Sequence, residues 1–276
     1  MNDKMKNLAI RAVSGLGLLI VVWGAILWSP WSLSALVALL TIFGLKEFYD
    51  LAACRGLRPQ RVLGTLAALT LLWISVTVTT AAPMRPLACG AAFLLLLPFV
   101  MFVCELYRKQ TEPLADIAST LLGVLYVALP LALLIHIPAL GAPVRNPWVL
   151  IACICIVWSN DVFAYLVGMT FGRRPLFPRL SPKKSWEGFF GGVAGAVAAG
   201  AAAAWLLDAS TAAWCGLALV TAVTAVLGDL AESMLKRSAG VKDSGALIPG
   251  HGGMLDRFDA LLLSTPFVFV YMLFVF

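Results

Sequence analysis

The stretch Ser233–Asp259, SMLKRSAGVKDSGALIPGHGGMLDRFD, interrupts a chain that is otherwise apolar. Lys236, Arg237, Lys242, Asp243, His251, Asp256, Arg257 and Asp259 crowd into it, between an apolar run that ends near residue 230 and another that begins at 259. Hydrophobic residues make up 61% of the chain and charged residues 12%, against roughly half and a quarter in soluble domains. Mean hydropathy is +0.94. Charge this scarce, gathered between runs long enough to cross a bilayer, sets the fold class: an all-α, polytopic integral membrane helical bundle with polar segments at the membrane edge.

Working outward, apolar runs recur from end to end. Spans are expected near 9–29, 32–53, 62–81, 86–106, 117–138, 147–170, 187–207, 211–230 and 259–276, about nine in all. Ser29–Pro30–Trp31–Ser32 marks the first turn, and Pro83 and Pro86 bracket another. No stretch is long and polar enough for a soluble domain. Residues 1–276 therefore read as a single membrane domain, with N-terminal transmembrane helices in 1–146 and a catalytic transmembrane region with cytoplasmic loops in 147–276. Lys4, Lys6 and Arg11 precede the first run as they would in a signal peptide, but Ile26–Pro30 lacks a small-x-small cleavage site, so an uncleaved anchor is expected.

The loops are asymmetric. Lys46, Arg55, Arg58, Arg61, Arg108, Lys109, Arg173, Arg174, Arg179, Lys183, Lys184, Lys236, Arg237, Lys242 and Arg257 fall on the side of the N-terminal lysines, whereas Arg85 and Arg145 fall on the other. The positive-inside rule makes the crowded side, and the N-terminus, cytoplasmic. The net charge of +6 thus belongs to membrane-proximal loops. With no basic stripe on a soluble surface and no recognition motif, nucleic acid is excluded as a partner. The six cysteines lie mostly in apolar runs with no histidine cluster beside them, which excludes a zinc site. Gly191, Gly192 and Gly195 open a small-residue span suited to backbone-close helix packing.

Several polar groups are placed for chemistry. On a helix, Asp229, Ser233 and Lys236 share one face, and Asp256 and Asp259 share another at i, i+3. Carboxylates at a membrane edge suit Mg²⁺, which takes one or two of them together with substrate phosphates. Asp256 and Asp259 equally suit a helix N-terminus, whose dipole favours acids. Pro249–Gly253 is a flexible run in which His251 bonds phosphate, orients a carboxylate, or is an exposed loop residue. Asp161 follows Trp158–Ser159–Asn160 inside an apolar span, where an ionisable side chain is a functional candidate. The island Ser181–Gly188, with Lys183 and Lys184, reads either as a positive-inside loop with a Trp anchor or as a site that captures an anionic headgroup or nucleotide.

Ser233-x-x-Lys236-Arg237, Lys242-Asp243 and Pro249-x-His251-Gly252-Gly253-x-x-Asp256-Arg257-x-Asp259 resemble the signature of the phosphatidate cytidylyltransferases, or CDP-diacylglycerol synthases. Ser159–Asp161 and Ser181–Gly188 are similar to other recurrent stretches of that family. The likeness is strong over about 150–270, and the first half matches only as generic spans. It implies a transferase of phospholipid biosynthesis in a bacterial-type inner membrane. The implied reaction joins CTP to phosphatidate, giving CDP-diacylglycerol and pyrophosphate with Mg²⁺, on the cytoplasmic side. The resemblance implies a metal role for Asp229, Asp256 and Asp259, and catalysis by these with Lys236. Ser233, Arg237, Lys242, Asp243, His251, Arg257, Asp161, Lys183 and Lys184 are the candidate substrate-binding residues. Membrane lipids are further expected partners, and self-association stays open.

Two polyanions must meet, so cations have to screen them; the attacking phosphomonoester is already ionised near neutral pH, its second pKa being about 6. A dedicated general base is therefore not required. Another Mg²⁺-dependent lipid-phosphate nucleotidyl- or sugar-phosphate transferase would share these features. A transporter would instead string its charges through the bilayer midplane.

Overall fold

The structure is a computed structural model describing residues 3–80, 84–140, 144–247 and 252–276, with side chains from residue 14 onward. His251, with Pro249 and Gly250, lies outside the described residues. The element order is α1 (Asp3–Trp28), α2 (Pro30–Ala53), α3 (Arg61–Thr79), α4 (Met84–Arg108), α5 (Pro113–Gly123), a wide π turn (Val124–Ala128), α6 (Leu129–Leu134), α7 (Ile137–Leu140), α8 (Pro147–Phe171), β1 (Pro175–Phe177), β2 (Ser181–Ser185), α9 (Trp186–Leu206), α10 (Thr211–Ser238) and α11 (Leu255–Val275).

Among the described residues eight helical runs are long and apolar enough to cross a membrane, counting α5 to α6 as one. They coincide with eight of the nine runs expected from hydropathy. The first run falls on α1, whose described apolar part, Ser14–Trp28, is shorter. The protein is an all-α polytopic membrane protein. Helix starts follow local chemistry. Ser29 and Ser32 close a reciprocal capping box on α2, Asn146 accepts from the Trp148 amide at α8, and Ser185 accepts from the Gly188 amide at α9. The π turn precedes Pro130, which has no amide proton and whose ring would press on the carbonyl of Tyr126.

The chain divides into two compact units. The first comprises Met1–His136 and Ser238–Arg257. Its core holds Ala67, Leu97, Met101 and Ile117 from α3, α4 and α5. Buried hydrogen bonds fasten the α2–α3 connection: Arg58 N–H donates to Asp116 Oδ1 (2.6 Å), Gln60 N–H to Thr120 Oγ1 (2.8 Å) and Tyr49 O–H to the Thr120 carbonyl (3.0 Å). The face of α4 bearing Leu95, Phe99 and Leu106 is open, as a lipid-facing surface requires.

The second unit comprises Ile137–Arg237 and Phe258–Phe276. Here α8 packs along α9 through the glycines singled out in the sequence. A methyl group on Gly192 would stand 2.7 Å from Asn160 Oδ1, and one on Gly195 2.4 Å from the Phe163 ring. Val157, Ala225 and Ala260 join α8, α10 and α11. Gly228 lets α10 cross α11 backbone to backbone, since a methyl there would meet the Asp259 carbonyl at 2.6 Å. The short antiparallel β1–β2 hairpin pairs Pro175 with Ser185 and Phe177 with Ser181.

Candidate active site

The close crossing at Gly228 places Asp229 beside the first turns of α11, where Asp259 sits. The α8 residue Asp161 belongs to the same group: the carboxylates of Asp161, Asp229 and Asp259 lie within electrostatic range of one another and of Lys184. Lys184 comes from β2, and its Nζ stands 2.5 Å from Asp229 Oδ2. Ser233 Oγ, one turn along α10, is 3.4 Å from Asp229 Oδ1. Asn160 Nδ2 is 3.4 Å from Asp161 Oδ1, and Asp259 Oδ1 accepts from the Ala260 amide at 2.7 Å. A hairpin, the interiors of two helices and the first turns of a third thus converge.

The island Ser181–Gly188 explains how Lys184 arrives there. Ser185 caps α9, and Glu187 Oε2 accepts the amides of Arg173 (3.1 Å) and Arg174 (3.2 Å). The hairpin is pinned at both ends, which aims Lys184 inward while Lys183 stays exposed. The Lys184–Asp229 pair is partly exposed, with 25% and 40% of the two side chains open. Such a pair contributes no more than about 1 kcal/mol to stability, so its conformation serves the site more than the fold.

Lys236 was expected on the wall formed by Asp229 and Ser233. Asp229 and Ser233 do meet, but the Lys236 ammonium forms an ion pair with Glu232, whose side chain is 1% exposed. A buried carboxylate demands a partner, and Glu at i with Lys at i+4 is the favourable order on a helix. Glu232 was missed in the sequence, although the Glu232–Lys236 spacing announced it.

The signature's other acidic residue, Asp256, belongs to the first unit. Its Oδ2 accepts from the Ser244 amide (3.0 Å), Ser244 Oγ (3.0 Å) and the Gly253 amide (2.8 Å), so it holds Ser244 and Gly253 beside the start of α11. Glu47 of α2, buried at 5% exposure, holds the same segment from beneath. Its carboxylate accepts from the Met254 amide (2.8 Å), the Leu255 amide (2.9 Å) and Ser244 Oγ (3.0 Å). Sequence reading passed over Glu47 and Ser244. Little in the sequence marks Glu47, which stands beside Lys46 toward the end of its apolar span. Arg237, Lys242, Asp243 and Arg257 are exposed.

The donor set can be weighed against Mg²⁺. Among the described residues no group of three or more Asp, Glu, His or Cys forms a ready-made metal cage. Asp229 and Asp259 nonetheless offer hard oxygen donors around one ammonium, which fits an ion that takes one or two protein carboxylates and completes its shell with phosphate oxygens and water.

A family model described as the cytidylyltransferase family matches residues 9–275. The chain belongs to that family. It is similar to a phosphatidate cytidylyltransferase of Synechocystis sp., with 33% identity over 95% of this chain and 94% of the relative. A phosphatidate cytidylyltransferase of Brucella abortus shares 33% identity over 97% of this chain and 94% of its own length. The chloroplastic phosphatidate cytidylyltransferase 5 of Arabidopsis thaliana shares 30% over 92% and 69%. Family membership therefore extends through the N-terminal helices, which in the sequence matched only as generic spans.

Proposed function

We propose that this protein transfers the cytidylyl group of CTP to phosphatidate, forming CDP-diacylglycerol and pyrophosphate. The observation that carries the reading is the convergence of Asp161, Asp229 and Asp259 on Lys184 in a membrane protein of the cytidylyltransferase family. The lipid phosphate oxygen attacks the α-phosphorus of CTP, a new P–O bond forms, and the bond to the bridging oxygen breaks as pyrophosphate departs. Both reactants are anions, so catalysis consists of positioning and charge stabilisation.

Asp229 and Asp259 would hold Mg²⁺, which supplies charge neutralisation to the phosphates when bound. Lys184 contributes a further positive charge where the phosphates would sit, and Asn160 steadies Asp161. Lys242, Asp243 and Arg257 of the signature segment are assigned to substrate binding in this reaction on the family resemblance, while Asp256, expected to hold metal, spends Oδ2 on Ser244 and Gly253. No side chain is asked to take a proton from the nucleophile. The basic loops favour a cytoplasmic location for the site, and a bacterial inner membrane is the proposed setting.

The experiment is incubation of the purified protein in detergent with phosphatidate, CTP and Mg²⁺. A CDP-lipid that requires all three is expected. A lipid product formed from a nucleotide sugar but not from CTP would replace this reading with sugar-phosphate transfer.

A further inference from the structure

Glu47 lies far from the signature in sequence, yet every described contact of its carboxylate is with that segment. It binds at both ends: Ser244 near the start, Met254 and Leu255 at the finish. The two amides are among the helix-terminal N–H groups of α11 that have no partner within the helix. Gly245 and Gly253 are packed against the same carboxylate. A methyl on Gly245 would stand 2.6 Å from Glu47 Oε1, and one on Gly253 would stand 2.5 Å from Oε2 and 2.2 Å from Ser244 Oγ. Ser244 Oγ is 3.0 Å from both Glu47 Oε2 and Asp256 Oδ2. A hydroxyl has one proton to donate, so Glu47 and Asp256 share it, and Ser244 Oγ standing between them ties the direction of Asp256 to Glu47.

We propose that Glu47 is a positioning residue for the reaction: its buried carboxylate holds Ser244 together with Met254 and Leu255, and it thereby sets the direction of Asp256. The three donors come from three residues that no sequence motif joins to α2. A carboxylate meets all three without an N–H of its own facing them, whereas an amide would turn N–H toward N–H. This inference rests on the reading that the signature segment serves cytidylyl transfer.

Glu47→Gln tests it in two arms. Amide hydrogen exchange needs no substrate, and the variant is expected to exchange faster across Gly252–Asp256 while α3 and α4 keep wild-type protection. In the kinetic arm kcat is expected to fall roughly 100-fold, the scale of a misplacement of about 1 Å, with the KM for CTP changed by less than about threefold. Glu47→Asp, which keeps the charge on a shorter stem, is expected to recover part of kcat. Wild-type exchange across the segment, or wild-type kcat, overturns the proposal. Loss of protection spread evenly over α3 and α4 also overturns it, since that marks a structural role alone. If Glu47→Gln does not accumulate as folded protein, Ser244→Ala is measured instead. Faster segment exchange with a lower kcat supports the proposal, and wild-type values in either overturn it. If the wild-type protein makes no CDP-lipid, cytidylyl transfer fails while the exchange arm still decides whether Glu47 anchors the segment.

Discussion

At the scale of single residues, the site separates groups whose removal stops chemistry from groups whose removal first damages the fold. Asp229→Asn keeps the shape of the side chain and removes its charge. It is expected to lower kcat at least about 100-fold, the scale seen when a charge-stabilising group is lost. Binding of Mn²⁺, followed by its paramagnetic signal, is expected to weaken in parallel; unchanged Mn²⁺ affinity with lost turnover would instead make Asp229 a proton acceptor. Lys184→Met is expected to raise the KM for CTP about tenfold while thermal stability in detergent stays within about 1 kcal/mol of wild type. Lys236→Ala behaves differently. It removes the Lys236 side of the buried ion pair with Glu232, a change worth roughly 3–5 kcal/mol, so a lowered melting temperature is expected alongside any loss of activity. The sequence made Asp161, Asp229, Asp259 and Lys184 legible as polar groups in apolar surroundings. It did not show that Lys184 and Asp229 are neighbours, because that contact depends on a hairpin between them. Nor did it show that the Lys236 ammonium turns to Glu232 rather than to Asp229, because the burial that makes Glu232 demand a partner comes from the packing around it.

At the scale of elements, helices were readable and short irregular pieces were not. Runs of apolar residues with Ser, Asn and Pro at their starts predict α2, α8 and α9 to within a few residues, since length and capping are local properties. The β1–β2 hairpin carries no alternation of apolar and polar residues and contains prolines, so its sequence reads as a loop; it exists because Glu187 and Ser185 tie its ends. The small residues of α9 announced close packing, and the structure supplies the partner, α8. Gly192→Leu would drive a side chain into Asn160, the neighbour of Asp161. It is expected to cost about 1–3 kcal/mol, as overpacking does, and to lower activity, both measurable by thermal denaturation in detergent and by CDP-lipid formation. Unchanged stability would mean that α8 and α9 are not in contact at that point.

At the scale of the whole molecule, hydropathy and loop charge gave the membrane class. The grouping of Ser238–Arg257 with Met1–His136 was not readable, because it rests on Glu47 and its distant hydrogen-bond donors. The positive-inside rule predicts a cytoplasmic end for α2. Cys54, free and exposed there, offers the test. In a variant retaining Cys54 alone, a membrane-impermeant maleimide is expected to label inverted vesicles and not intact spheroplasts; the reverse pattern would invert the topology.

The central claim, that charged groups at the crossing of α8, α10 and α11 bring two phosphates together on the α-phosphorus of CTP, is tested most directly by the fate of each phosphorus atom. Purified protein is supplied with phosphatidate, Mg²⁺ and CTP labelled at either the α- or the γ-phosphate. The account predicts α-label in the lipid and γ-label in pyrophosphate, in equal amounts, with neither product from Asp229→Asn. Label from the γ-phosphate in the lipid, or no label in the lipid from α-labelled CTP, would contradict it.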